Sequence, residues 1–96
     1  MKLVLIAHNA AIEGEVTEAL EAAGVDAYTK LPNALGKGHT SEPHLGNDVW
    51  PGFNTVTLVA VADEKVGPVL EQVRALRDVL GAEGVKAFVL PIEDLT

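Results

Sequence analysis

Residues 53–80 read FNTVTLVAVADEKVGPVLEQVRALRDVL. The first ten alternate, with Val56, Leu58, Ala60 and Ala62 set against Thr55, Thr57, Val59 and Val61. That is the two-residue period of a strand, and both sets are apolar enough for a central one. At Asp63 the period changes. Val66, Val69 or Leu70, Val73, Leu76 and Leu80 recur at three- and four-residue spacing, the stripe of an amphipathic helix. Asp63 is a candidate N-cap, Pro68 is confined to the first turn or near it, and Gly81 and Gly84 mark the end. Val85 to Leu90 is a further apolar run, closed by Pro91. The carboxy-terminal half is therefore strand, helix, strand.

The amino-terminal half repeats this plan. Lys2 to Ala7 is an apolar run with branched side chains, read as a strand. Asn9 can cap a helix over Ala10–Ala23, on which Ile12, Val16, Leu20 and Ala23 share one face. Glu13, Glu15, Glu18 and Glu21 lie mostly outside that face, and the earliest of them favour the positive end of the helix dipole. Gly24 is a C-terminal stop, and Val25 to Leu31 reads as a second strand ended by Pro32. The whole is β-α-β-β-α-β, an α+β class chain with a ferredoxin-like sandwich: an antiparallel sheet with two helices on one face. Residues 1–96 are expected to form a single domain. The apolar character of Val25, Ala27, Thr29 and the third strand leaves the other sheet face in need of cover, for which a homo-oligomer is the natural source.

Composition narrows the function classes. The chain is 48% hydrophobic and 22% charged, which is globular rather than disordered composition. Seven basic against fourteen acidic residues give a net charge of −7, and the basic ones are scattered. Neither nucleic acid nor an anionic membrane surface suits that balance. The absence of cysteine removes disulfides, thiolate metal sites and cysteine nucleophiles, and fits a cytoplasmic protein. The run Leu3–Ala7 is too short for a signal segment or a membrane span, so no membrane insertion is expected.

Between the middle strands lies NALGKGHTSEPHLGNDVWPG, residues 33–52. It has neither period, and so long a loop between two strong strands marks function. Gly36-Lys37-Gly38 offers backbone N–H groups and an ammonium to a phosphate, or serves as a hinge. His39 and His44, with Glu42 and Asp48 near them, carry the donor types of a divalent-metal site, or are solvated loop histidines. Trp50 is either an anchor for a partner protein or a packing anchor where the loop rejoins the sheet, and Pro51-Gly52 suits a type II turn. His8, after the first strand, is a hydrogen-bonded structural histidine or lines a cleft between subunits. Ser41 lies between two histidines with no third orienting group, so no catalytic residue is assigned and the chain is not expected to be an enzyme.

The element order, the loop after strand two, and the series Gly36, Gly38, Gly46, Trp50, Pro51, Gly52, Asn54, with Gly84-Val85-Lys86-Ala87-Phe88, resemble PII-like signalling proteins, relatives of the nitrogen-regulatory P-II proteins. The resemblance implies a homotrimer with sheets packed inward. It implies a T-loop at 33–52 that contacts a regulated partner protein, such as a membrane transporter or an enzyme. It implies small effectors, adenine nucleotides among them, bound between subunits by Gly36, Lys37 and Gly38 at the loop base and by Gly84 and Lys86. Departures are visible too. Leu80–Lys86 keeps only part of the P-II glycine-aspartate-glycine-lysine run, the chain ends Glu93-Asp94-Leu95-Thr96 without a basic pair, and the loop has no tyrosine, Tyr28 lying in the preceding strand. The reading is a non-enzymatic effector sensor. The alternatives left open are a metal-binding protein of the same fold, with His39 and His44 as ligands, and an adaptor trimer without a small ligand.

Overall fold

The computed structural model describes residues 1–37, 46, 52–81 and 84–96. Seven elements follow in order: β1 (Lys2–Asn9), a 3-10 turn (Ala10–Ile12), α1 (Glu13–Ala22), β2 (Thr29–Ala34), β3 (Asn54–Val61), α2 (Asp63–Leu80) and β4 (Val85–Pro91). The strands form one sheet in the order β2-β3-β1-β4, and every neighbouring pair is antiparallel. This is the ferredoxin-like βαββαβ arrangement expected above.

Alternation along β1 decides the two faces. Val4, Ile6 and His8 are buried under the helices. Val4 and Ile6 pack in one cluster with Val16, Leu20 and Ala23 on the α1 side, Val69 and Val73 of α2, and Val59, Val61 and Val85 from the flanking strands. Leu3, Leu5 and Ala7 point the other way. Their register partners are Ala60, Leu58 and Val56 on β3 and Leu90, Phe88 and Lys86 on β4, and Leu31 of β2 lies opposite Val56. Apart from Lys86, Thr29 opposite Leu58, and the Asn9–Asn54 pair at its end, this second face is apolar among these pairs. Leu31, Phe88 and Leu90 are exposed on it.

The second strand starts four residues later than its sequence pattern predicts. Gly24 (φ +78) closes α1 by donating its N–H to the Glu21 carbonyl at 3.0 Å, while the Val25 N–H donates to Leu20 at 2.9 Å. This Schellman closure commits Val25 to the helix end and to the core, so it cannot start a strand. At the other end Pro32 lies inside β2 instead of ending it. β2 is the sheet edge, where a missing N–H costs no ladder bond, and a bulge between Leu31 and Ala34, with Asn33 at φ +59, absorbs the irregularity. The apolar open face consequently comes from β1, β3 and β4 with Leu31, not from Val25 and Ala27.

Four smaller differences have local causes. β1 runs on through His8 and Asn9, both paired to β3. Asn9 caps as expected, its side chain accepting from the Ala11 N–H at 2.9 Å, but the turn it caps is 3-10 before α1 begins. Ala62 takes the N-cap position of α2, and Asp63 stands in the first turn, bound to the Met1 amino group at 2.7 Å. Leu80, assigned to the buried stripe, is exposed because α2 has passed the sheet there, whereas Val69 and Val73 are buried as expected.

Leu20→Ala should cost about 2–5 kcal/mol, the usual range for emptying a packed leucine site. Val79→Ala, at an exposed position, should shift stability by no more than about 0.5 kcal/mol. Urea unfolding of both at one protein concentration tests the assignment of core and surface.

Candidate functional site

The loop 33–52 leaves and re-enters the sheet at one end, and four chain segments meet there. Asn9 at the end of β1 pairs with Asn54, and Asn54 pairs with Ala34 of β2. The Asn9 N–H donates to the Gly84 carbonyl at 2.8 Å, and the Ala10 N–H donates to the Phe53 carbonyl at 3.0 Å. Gly36 follows β2 against the same Asn54. A Cβ built on Gly36 would collide with the Asn54 side-chain amide, so a larger residue there would have to displace that amide. Further out, the Gly46 N–H donates to the Gly52 carbonyl at 3.1 Å, and Gly46 (φ +66) lies against the Phe53 ring, where a Cβ would stand 2.5 Å from two ring carbons. Gly52 has the positive φ (+99) that the expected turn needs at that position.

The residues singled out from sequence divide into three groups. Gly36 and Gly84 lie at the same end of the sheet but on opposite outer sides of the Asn9–Asn54 pair, Gly36 next to Asn54 and Gly84 next to Asn9. Lys37 is exposed beside Gly36. Lys86 sits opposite Ala7 on the open sheet face, its Nζ 5.6 Å from the centre of the Phe88 ring. Gly38, His39, His44 and Trp50 lie outside the described residues, as does Pro51. Gly84 differs from Gly36 in kind. Among the described residues its Cβ would meet only Ile12, at an ordinary 3.6 Å.

Beneath this sheet end is a polar cluster that the sequence pattern did not announce apart from His8. Thr55 and Thr57 alternate onto the helix-facing side of β3 and are fully buried, as is His8. The Thr55 hydroxyl donates to Glu13 Oε1 at 2.9 Å. Lys30 Nζ donates to Thr17 Oγ1 at 3.0 Å and lies 3.7 Å from Glu13 Oε2. His8 Nε2 is 2.9 Å from Thr57 Oγ1, and Nδ1 is 3.2 Å from the Asn9 carbonyl. A carbonyl only accepts, so Nδ1 carries the proton and Nε2 accepts from Thr57 in the neutral ring. Burial holds the His8 pKa below its ordinary value, against the opposing pull of its bond to the Asn9 carbonyl and of Glu13. The cluster satisfies every member. It is a brace joining β1, β2, β3 and α1, and His8 is structural. Two threonines on a strand face that otherwise carries core valines were the available signal, since buried hydroxyls need partners.

Among the described residues no group of three or more His, Asp or Glu could hold a metal, and no helix is long and apolar enough to cross a membrane.

The profile of the nitrogen regulatory protein P-II family matches residues 1–96. The chain belongs to that family. It is thus a member of a family of regulatory proteins. No curated protein sequence matches it. Among solved structures it is similar to CPII of Thiomonas intermedia K12 bound to ADP and bicarbonate, at 29% identity and a TM-score of 0.73, covering 93% of this chain and 82% of that one. CPII bound to ADP, AMP and bicarbonate matches at 28% identity and TM-score 0.73, over 95% and 88% of the two chains. A PII-like protein of Thermus thermophilus, TTHA0516, shares the fold at 24% identity and TM-score 0.65, over 93% and 83%.

Acid should destabilise the fold through His8. With its folded pKa below the unfolded value of about 6.5, the unfolded chain takes up the proton first. Stability is complete above about pH 7 and falls as the pH drops below about 6.5, with a slope of at most about 1.4 kcal/mol per pH unit from this group. Urea melts between pH 7.5 and 5 should show that slope, and His8→Gln should flatten it.

Proposed function

We propose that this protein is a non-enzymatic sensor of a small anionic effector, an adenine nucleotide, and acts on a partner protein through residues 33–52. What supports this reading is that Gly36 with Lys37 and Gly84 lie at the same end of the sheet, next to β2 and β4, with Lys86 two residues further along β4. Backbone N–H groups of Gly36, Lys37 and Gly38 and the two ammonium groups supply the donors that a diphosphate or a bicarbonate needs. Among the described residues only Ile12 stands near a Cβ at Gly84, which leaves room for a ligand to approach the backbone. The ADP, AMP and bicarbonate bound by CPII are the chemistry these donors suit.

In this reading the effector lies between subunits of a homotrimer whose apolar sheet faces, carrying Leu5, Leu58 and Phe88, pack inward. The effector bridges the loop base to Gly84 and Lys86 and so biases the order of the loop, which presents Trp50 to the partner. The acidic, cysteine-free chain suits the cytoplasm.

A thermal-shift series with ADP, AMP, ATP, bicarbonate, 2-oxoglutarate and divalent metals tests the ligand. Adenine nucleotide at one hundred times its Kd should add about 2.7 kcal/mol of stability. Lys37→Ala and Lys86→Ala should each weaken it at least tenfold. A response to metal alone, lost in the His39→Ala/His44→Ala double variant, would replace this reading by the metal-binding one.

Light scattering after gel filtration should give three times the chain mass. Phe88→Glu, which sets a charge on the apolar sheet face, should yield monomer that no longer binds nucleotide. A wild-type monomer at micromolar concentration would remove the shared cleft.

A further inference from the structure

The helix layer, on the side away from the open sheet, carries a groove of about 370 Å³ between α1 and α2. The two helices run antiparallel, since Lys65 near the start of α2 donates to the Gly24 carbonyl beyond the end of α1. On α2 the lining residues Gln72, Ala75, Leu76, Val79 and Leu80 recur at three- and four-residue intervals. They make a stripe roughly 12 Å long, a little over two helical turns. Ala19 and Ala22 of α1 complete the floor. Three of the floor residues are alanines, so a second helix backbone can approach closely. Val79 is 82% exposed and Leu80 43%, which is unusual for aliphatic residues at one end of a continuous apolar stripe.

The charged residues that line the groove, among the described residues, are acidic. Glu15 and Glu18 line the α1 wall. Glu71 and Asp78, exposed, flank Ala75 on the outer side of α2, four residues before it and three after. The cations of this stretch face elsewhere: Arg77 donates to the Val85 carbonyl at 2.7 Å, and Arg74 lies on the next flank round, away from α1. A second copy of this chain would set carboxylates against carboxylates.

We infer that this groove docks an amphipathic helix of a partner protein with an apolar stripe flanked by Lys and Arg. The apolar stripe sits on Ala75, Leu76 and Val79, and the flanking cations meet Glu15 and Glu18 on one wall and Glu71 and Asp78 on the other. The surface is separate from the loop and from the open sheet face, so it stays available whether or not that face assembles, and the inference does not depend on the effector.

Two synthetic fourteen-residue helical peptides test it on the full-length protein: one with leucines at i, i+3, i+4 and i+7 and lysines elsewhere, and one with glutamates in place of the lysines. The cationic peptide should bind at least tenfold tighter than the acidic one. Amide shifts should centre on Ala19, Ala22, Ala75, Leu76 and Val79. Val79→Lys and the Glu15→Gln/Glu18→Gln pair, both at exposed sites, should each weaken binding at least fivefold while leaving the melting temperature and nucleotide response unchanged. Equal binding of the two peptides, shifts centred on the open sheet face, or concentration-dependent shifts of the groove residues without peptide would each overturn the inference, the last by assigning the groove to self-association.

Discussion

Strand β1 carries opposite obligations on its two faces, and the rest of the molecule follows from them. Val4, Ile6 and His8 enter a core closed by both helices, while Leu3, Leu5 and Ala7 project from a face that no part of the described chain covers. Because side chains alternate with period two, a slip of one residue would exchange these sets and place His8 on the outside. The register to β3 and β4 is thereby pinned along eight and seven pairs. Pinning β1 also brings Asn9, Asn54 and Gly84 to a common end. The site and the core are consequences of the same register.

The polar brace under that end shows how the fold holds a loop origin in place without apolar bulk. Glu13 accepts a hydrogen bond from the Thr55 hydroxyl and faces the ammonium of Lys30, which also reaches Thr17. β2 is an edge strand with an internal proline and a bulge, so its ladder with β3 is the weakest in the sheet. The brace ties it to α1 from below. Since Gly36 and Lys37 follow directly from β2, their position depends on this brace as much as on strand pairing. His8 completes the arrangement on the other side of β3, where burial favours its neutral form and suits the bond from Thr57.

The proposed function gives three surfaces separate tasks. It assigns the largely apolar open sheet face to the trimer. It assigns the sheet end with Gly36, Lys37 and Gly84 to an anionic effector. The helix layer carries the acidic-walled groove. Each is made by residues on different faces of the same few elements, so a change at one need not disturb another.

Element types and order were legible in the sequence because they rest on local periodicity: alternation over residues 53–62, the helical stripe that follows, and their echo in residues 2–23. Membership of the P-II family was legible for a similar reason, since glycine and proline placement around a long loop is a property of the chain itself. Other features depended on what each residue meets in three dimensions. Val25 reads as strand, yet the Schellman closure at Gly24 turns it into core. Pro32 reads as a terminator, yet an edge position tolerates it. Glycines 36 and 84 are equivalent on paper, and only the structure shows that the first stands against the Asn54 amide and the second near Ile12. Thr55 and Thr57 on a core-facing strand hinted at buried hydroxyl partners, but which residues meet them, and which helix faces form the groove, depends on contacts between separate elements. Sequence determined which segments are strands, helices and loop; tertiary packing decided which of their faces meet, because contact across distance is set by register and burial rather than by neighbouring residues.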